Sequence, residues 1–274
     1  MPVSDSVDRS DELVADRSNA TSDRLPINEL FYSLQGEGVL AGVPSVFVRT
    51  SGCNLRCWFC DSYHTSWEPT HAWLGLEEVL AEVESYDADH VVLTGGEPLL
   101  QEACVDLLEA LDERGYHTTV ETNGTIYRDA PIDLASISPK LRTSTPTAER
   151  APARATDGRG ERTPDAGTNE WADRHEDDRI DLAALSALIE RYEFQLKFVV
   201  TGDDDLAEIL ALLDALEDAA DAGIRSDDIL LMPEGANRQR LAETRERTAE
   251  LAMEHGFRYT PRLHVDLWND APET

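Results

Sequence analysis

Hydrophobic positions along the chain fall into two recurring patterns. Short β-branched or apolar runs occupy Ser45 to Arg49, His90 to Thr94, His117 to Glu121, Ala135 to Ser138, Gln195 to Thr201, Ile229 to Met232 and Phe257 to Thr260. Between them, apolar residues return at helical spacing over Leu76 to Tyr86, Glu102 to Arg114, Leu182 to Tyr192, Asp205 to Ala222 and Asn237 to His255. The first set predicts strands and the second predicts helices. Their alternation predicts parallel βα units in an α/β fold, either a doubly wound sheet or an open or closed barrel. In each case ligands sit beyond the carboxyl ends of the strands, so the chemistry is expected just after each run.

Two stretches depart from the alternation. Residues 1–24 hold Asp, Ser, Arg and Asn with only scattered Val and Leu, and are expected to be a disordered acidic tail. Residues 141–178 contain Pro146, Pro152, Pro164, Gly158, Gly160 and Gly167 but no Ile, Val, Phe or Met. They are expected to be a mobile insertion into a single domain spanning 25–274, because long structureless loops are uncommon inside a compact fold.

Composition narrows the classes of function. The 274 residues carry 55 acidic and 24 basic side chains, a net charge of −31, which excludes a cationic face for free DNA or RNA. A hydrophobic fraction of 41% is too high for a disordered acidic chain, so the protein folds. Such acidity fits a halophilic protein hydrated by surface carboxylates; an ordinary acidic cytosolic enzyme is the plainer alternative. No apolar stretch approaches the roughly 20 residues of a membrane span, and the polar start does not read as a signal peptide. A cytoplasmic protein without a membrane partner is expected. Four cysteines are too few for a disulfide scaffold, and three of them fall within eight residues, which points to metal.

Those three, Cys53, Cys57 and Cys60, follow the first predicted strand at x3 and x2 spacing. Thiolates converging from one loop can hold three irons of a four-iron cubane and leave the fourth open to a small molecule. The alternative on spacing alone is zinc, with His64 completing a tetrahedron. Thr94-Gly95-Gly96-Glu97-Pro98 follows the next strand; paired glycines let backbone approach a ligand, and Glu97 suits a cationic or hydroxyl-bearing group. The plain reading of that segment is a tight turn before a helix begun by Pro98. Cys104 lies inside an amphipathic helix and reads as a packed core thiol.

Together, the cysteine loop and the glycine turn resemble the radical S-adenosylmethionine superfamily. The resemblance implies a partial (β/α)6 barrel, a [4Fe-4S] cluster on Cys53, Cys57 and Cys60, and S-adenosylmethionine bound to the open iron. Gly96 would contact its methionyl end. A narrower resemblance rests on Ser33-Leu34-Gln35-Gly36-Glu37-Gly38, Arg49, Cys60-Asp61-Ser62, Thr94, Glu121-Thr122-Asn123-Gly124 and Ser138-Pro139-Lys140. These segments are similar to the 7-carboxy-7-deazaguanine synthase family, lyases that contract 6-carboxytetrahydropterin with loss of ammonia toward queuosine and archaeosine. That resemblance implies hydrogen abstraction from C6 of the pterin, rearrangement of the radical and regeneration of S-adenosylmethionine. It implies cofactor contacts at Phe59, Asp61, Gly96, Glu97, Glu121, Asn123, Ser138, Pro139 and Lys140. Substrate contacts would come from Leu34, Gln35, Gly36, Glu37, Arg49 and Thr94, with Arg49 suited to a carboxylate through its fork. Ser62 stands where the family usually offers a threonine hydroxyl to Mg²⁺. A one-electron donor such as flavodoxin or ferredoxin and a homodimer are implied as partners. A glycyl-radical activase, which shares the cysteine spacing, and a non-enzymatic zinc protein are the competing readings. The tail residues His264 and Trp268 receive no assigned role.

Overall fold

The computed structural model describes residues 24–150, 168–221, 223–269 and 271. Nine strands form one sheet: β1 (Arg24–Leu34), β2 (Pro44–Thr50), β3 (Ala72–Gly75), β4 (His90–Gly95), β5 (His117–Thr122), β6 (Leu134–Ile137), β7 (Phe194–Val200), β8 (Ile229–Pro233) and β9 (Arg258–Tyr259). Their order across the sheet is β3-β1-β2-β4-β5-β6-β7-β8-β9. β1 runs antiparallel to β2 and β3, and every later pair is parallel. The helices are α1 (Tyr63–Ser66), α2 (Leu76–Val83), α3 (Ala103–Glu113), α4 (Thr168–Asp178), α5 (Leu182–Arg191), α6 (Asp204–Ala219), α7 (Arg238–His255) and α8 (Leu263–Trp268). The parallel strands with their helices make the α/β fold that the alternation predicts, as the partial barrel that the resemblance implies, and all seven expected strands are present within a residue or two.

Strand periodicity sorts the side chains. Along β7, Leu196, Phe198 and Val200 join the main core, while Lys197 and Val199 turn to the other face and line a cavity. β2 does the same: Val46 and Val48 enter that core, and Phe47 and Arg49 face the cavity. Helix ends follow local chemistry. Asp181 accepts the Ala184 amide at α5, Asn237 accepts the Arg240 amide at α7, and Gly256 stops α7 at φ 69°. No helix among the described residues is long and apolar enough to cross a membrane.

The structure adds elements that the pattern did not predict. β1 carries Pro26 and a register shift between Ile27 and Glu29, which breaks the alternation that would mark it. The stretch 141–178, read as an insertion without elements, holds a short 3₁₀ turn at Arg142–Ser144 and the three-turn helix α4. α4 lacks aliphatic periodicity because its buried contacts are polar: His175 is fully buried and bonded at both ring nitrogens. Residues 1–23 and 151–167 of the two expected mobile stretches lie outside the described residues.

Candidate active site

Loops after β2, β4, β5, β6 and β8 converge with the segment around α8 on one cavity of about 540 Å³. Its position beyond the carboxyl ends of parallel strands is the one the alternation implies. Of the predicted site residues, Leu34, Gln35, Gly36, Glu37, Arg49, Cys53, Cys57, Phe59, Cys60, Asp61, Ser62, Thr94, Gly96, Glu121, Asn123, Ser138 and Lys140 all line it. Glu97 and Pro139 do not.

The cysteine loop forms one wall. Gly52 opens it at φ 105°, and its amide donates to the Thr65 carbonyl across the loop. Trp67 Nε1 donates to the Cys57 carbonyl at 3.0 Å, and Trp58 Nε1 to the Thr143 carbonyl at 2.7 Å. All three thiols are free, and two have a protein donor. The Leu55 amide reaches Cys53 Sγ at 3.4 Å, and Ser66 Oγ reaches Cys60 Sγ at 3.2 Å. Burial pushes the Cys53 and Cys60 thiols up to about 12 and raises Cys57 as well, so loading a metal there must expel protons. Three thiols on one cavity wall, two of them offered a hydrogen bond, fit a cluster that leaves one corner to a ligand. Among the described residues no three His, Cys, Asp or Glu side chains are grouped so as to hold a metal ion. Cys104 is fully buried in the core, as expected.

The Gly95-Gly96 turn forms the adjoining wall. A Cβ on Gly95 would stand 2.2 Å from the Thr50 carbonyl oxygen, and one on Gly96 would stand 2.3 Å from that of Gly52. Only glycines allow this turn to lie against the base of the cysteine loop. Glu97 departs from its expected role. It is fully buried behind the turn, where its carboxylate accepts from Thr122 Oγ1, the Asn123 amide and the Leu99 amide. The hydroxyl it suits belongs to the protein itself. Burial pushes its carboxyl up to about 7 against those donors, and its amide donates to Gly52 O, tying three loops together. Asn123 extends the tie by donating to Asn54 Oδ1 at 2.9 Å. Pro139 is buried between Ser138 and Lys140, which face the cavity.

Opposite the cysteines lies a polar network. Glu121 accepts from Thr94 Oγ1 at 2.8 Å and from Gln35 Nε2 at 3.2 Å. Glu37 is bridged by Lys197 at 2.6 Å and by Arg262 at 2.9 Å. Burial alone would raise its pKa, but these two cations hold it well below the usual carboxylate range. Asp61 is likewise lowered, to about 2, because Arg262 outweighs its burial. Arg49 donates through Nε to Glu29 at 3.0 Å and through Nη1 to Ser62 Oγ at 2.9 Å. Ser62 Oγ in turn donates to Asp61 Oδ1 at 3.3 Å. Sequence reasoning missed Lys197 and Arg262. The signal for Lys197 was a lone cation inside the apolar run Phe194–Val200, which requires a buried counter-charge. His264, left without a role, lines the cavity beside Arg262, while Trp268 lies outside it at the surface.

Comparison with known proteins agrees with this geometry. The Radical SAM superfamily pattern matches residues 47–140, the span from β2 through Lys140. A 7-carboxy-7-deazaguanine synthase of Halobacterium salinarum is 61% identical over the whole of both chains. One of Rhodopirellula baltica is 40% identical, covering 90% of this chain and 88% of its own. The crystal structure of QueE from Escherichia coli shares the fold at a TM-score of 0.60, with 24% identity over 88% of this chain and 95% of that one.

Proposed function

This chain belongs to the 7-carboxy-7-deazaguanine synthase family, within the radical S-adenosylmethionine superfamily, and from that premise we propose how its cavity works. It is a radical lyase that contracts 6-carboxy-5,6,7,8-tetrahydropterin to 7-carboxy-7-deazaguanine with loss of ammonia, in the pathway of 7-deazapurine precursors. The observation that carries the site assignment is convergence: the three-thiol loop, the glycine turn and the Gln35, Glu37, Arg49 and Glu121 set share one cavity. The glycyl-radical activase and zinc-protein readings leave that polar set without a task.

When bound, the cluster on Cys53, Cys57 and Cys60 and its S-adenosylmethionine supply the one-electron chemistry that starts the reaction. The protein's part is to bind, orient and exclude water. Gly96, Asn123, Ser138 and Lys140 line the cysteine end, where they would cradle the cofactor. Glu29 takes Nε of Arg49 and Ser62 takes Nη1, so its Nη2 would take the pterin carboxylate. Gln35, Glu37 and Glu121 would accept from the amine and amide N–H groups of the ring. Lys197 and Arg262 keep Glu37 ionised and therefore an acceptor only. Ser62 Oγ would be the single protein ligand of a Mg²⁺ that draws the rest of its shell from substrate oxygens and water, with Asp61 orienting one water.

We also propose a protein one-electron donor such as flavodoxin or ferredoxin, a homodimer, a cytoplasmic location and adaptation to high salt. The experiment is an anaerobic assay of the reconstituted protein with S-adenosylmethionine, Mg²⁺, dithionite and carboxytetrahydropterin. The expected product is 7-carboxy-7-deazaguanine. Cleavage of S-adenosylmethionine without that product would instead support another radical enzyme, and a colourless zinc-loaded protein would support the third reading.

A further inference from the structure

The cysteine loop is held from behind by the segment that the sequence presents as an insertion. Arg56 lies between the first two cysteines, and its amide donates to His175 Nδ1 at 3.0 Å. An amide can only donate, so His175 carries its proton on Nε2 and gives it to Ser144 Oγ at 2.8 Å. The Ser144 hydroxyl hydrogen then goes to the Leu141 carbonyl at 2.6 Å. Beside this chain of bonds, the Arg56 guanidinium lies over the Trp171 ring at 4.1 Å while donating to the carbonyls of Cys53 and Leu55. The Trp58 amide closes the other side on the Ser144 carbonyl at 3.1 Å.

α4 is itself fixed. Glu176 accepts from Thr145 Oγ1 and from Arg179, and Arg179 also bonds the Lys140 carbonyl and Glu208 on α6. His175 is therefore presented to the loop at a set depth, fully buried. Nothing in the pterin chemistry uses it. We propose that α4 is a clamp on the cysteine loop, with His175 as its positioning residue: one ring nitrogen fixes the Arg56 peptide, and the other holds Ser144, whose carbonyl receives the Trp58 amide. The clamp presets the loop for the cluster by gripping the peptides on both sides of Cys57.

This inference rests on Cys53, Cys57 and Cys60 being the cluster ligands. The test uses the full chain, anaerobically reconstituted, as wild type, His175→Ala, His175→Asn, Ser144→Ala, Cys57→Ala and the exposed control Asp173→Ala. Two quantities are read: iron and sulfide per chain, and the rate at which excess chelator bleaches the cluster. Loss of one buried hydrogen-bond acceptor should speed bleaching about tenfold in His175→Ala. Asn keeps an acceptor near the Nδ1 position but cannot reach Ser144, so His175→Asn should regain most of the chelator resistance. Ser144→Ala removes the acceptor of the Nε2 proton, so it should speed bleaching in the same direction and, as a minimal truncation, serves if His175→Ala fails to fold. Asp173→Ala should match wild type. Bleaching unchanged in His175→Ala and Ser144→Ala would overturn the clamp. So would equal loss in the Ala and Asn variants with a matching fall in apoprotein melting temperature, which packing alone explains. If Cys57→Ala keeps a full cluster, the ligand assignment fails instead, and that result is read independently of His175.

Discussion

Ser62 contributes a single oxygen, shared between Arg49 as donor and Asp61 as acceptor, and the assignment of Mg²⁺ to it can be isolated. Ser62→Ala should leave the cluster and S-adenosylmethionine cleavage intact while pterin turnover falls at least tenfold and stops responding to Mg²⁺. Ser62→Thr should retain the response, because threonine supplies the same oxygen on a stiffer side chain. Rates across a Mg²⁺ titration decide, and an unchanged dependence in the alanine protein would remove Mg²⁺ from this position. A different single residue governs acid stability. His90 is buried with Nδ1 on Ser45 Oγ at 2.7 Å and Nε2 on Thr119 Oγ1 at 2.8 Å. Burial, helped by the neighbouring His117, depresses its pKa to about 4, against the opposing pull of Glu121 and Asp133. Between that value and about 6.5 the unfolded chain binds the proton and the folded one does not. The contribution is whole above pH 6.5 and lost as pH falls to 4, up to about 3 kcal/mol. His90→Gln should flatten part of the fall in melting temperature between pH 7 and 4.5; an unchanged slope would count against it. Which residues were legible follows from where their partners lie. The cysteines, Gln35 and Ser138 sit in contiguous motifs, whereas Lys197 and Arg262 meet Glu37 from 160 and 225 positions away. Glu97 was misread because its motif says nothing of Thr122 and Asn123 behind it.

At the scale of elements, the end of β4 is pressed against the start of the cysteine loop through bare backbone. Gly96→Ala should force Gly52 and Cys53 apart, since the added carbon would also stand 2.8 Å from Cys53 Cβ. The expected cost is about 1–3 kcal/mol of stability, read by chemical denaturation, together with weakened S-adenosylmethionine binding by calorimetry. Full affinity and stability in that variant would mean that the turn relaxes freely. Strands β2 and β4 to β8 were readable because each is an apolar run ending at the cavity. The end of β1 was seen only as part of a motif, Ser33 to Gly38, because its bulge hides its period. α4 was unreadable for the opposite reason to β1. A helix that buries a histidine, and not leucines, carries no hydrophobic stripe to detect.

Across the whole molecule, −31 of net charge sets two salt effects against each other. Exposed pairs, such as Arg247 with Asp203, Glu250 and Glu254, lose strength to screening. Repulsion among the excess carboxylates is relieved over the entire surface by the same ions. The second effect is the larger, so the melting temperature should rise from about 0.2 M to about 2 M KCl; a fall would show that the pairs dominate. The ties across the cavity mouth have a consequence of another kind. The Gly38 amide donates to Thr260 Oγ1, 222 residues on, and the Leu263 amide donates to the Gly36 carbonyl. At typical synthesis rates the first partner waits for the second for roughly 10 to 45 s. Throughout that interval the cysteine loop and its neighbouring strands already exist while the mouth stands open. Iron–sulfur delivery therefore has a window on the ribosome that closes when Thr260 and Leu263 emerge. Ribosome-bound chains stalled with residue 250 just outside the exit tunnel should accept a cluster faster than the released, metal-free protein, and equal rates would mean that the finished mouth is no barrier to it.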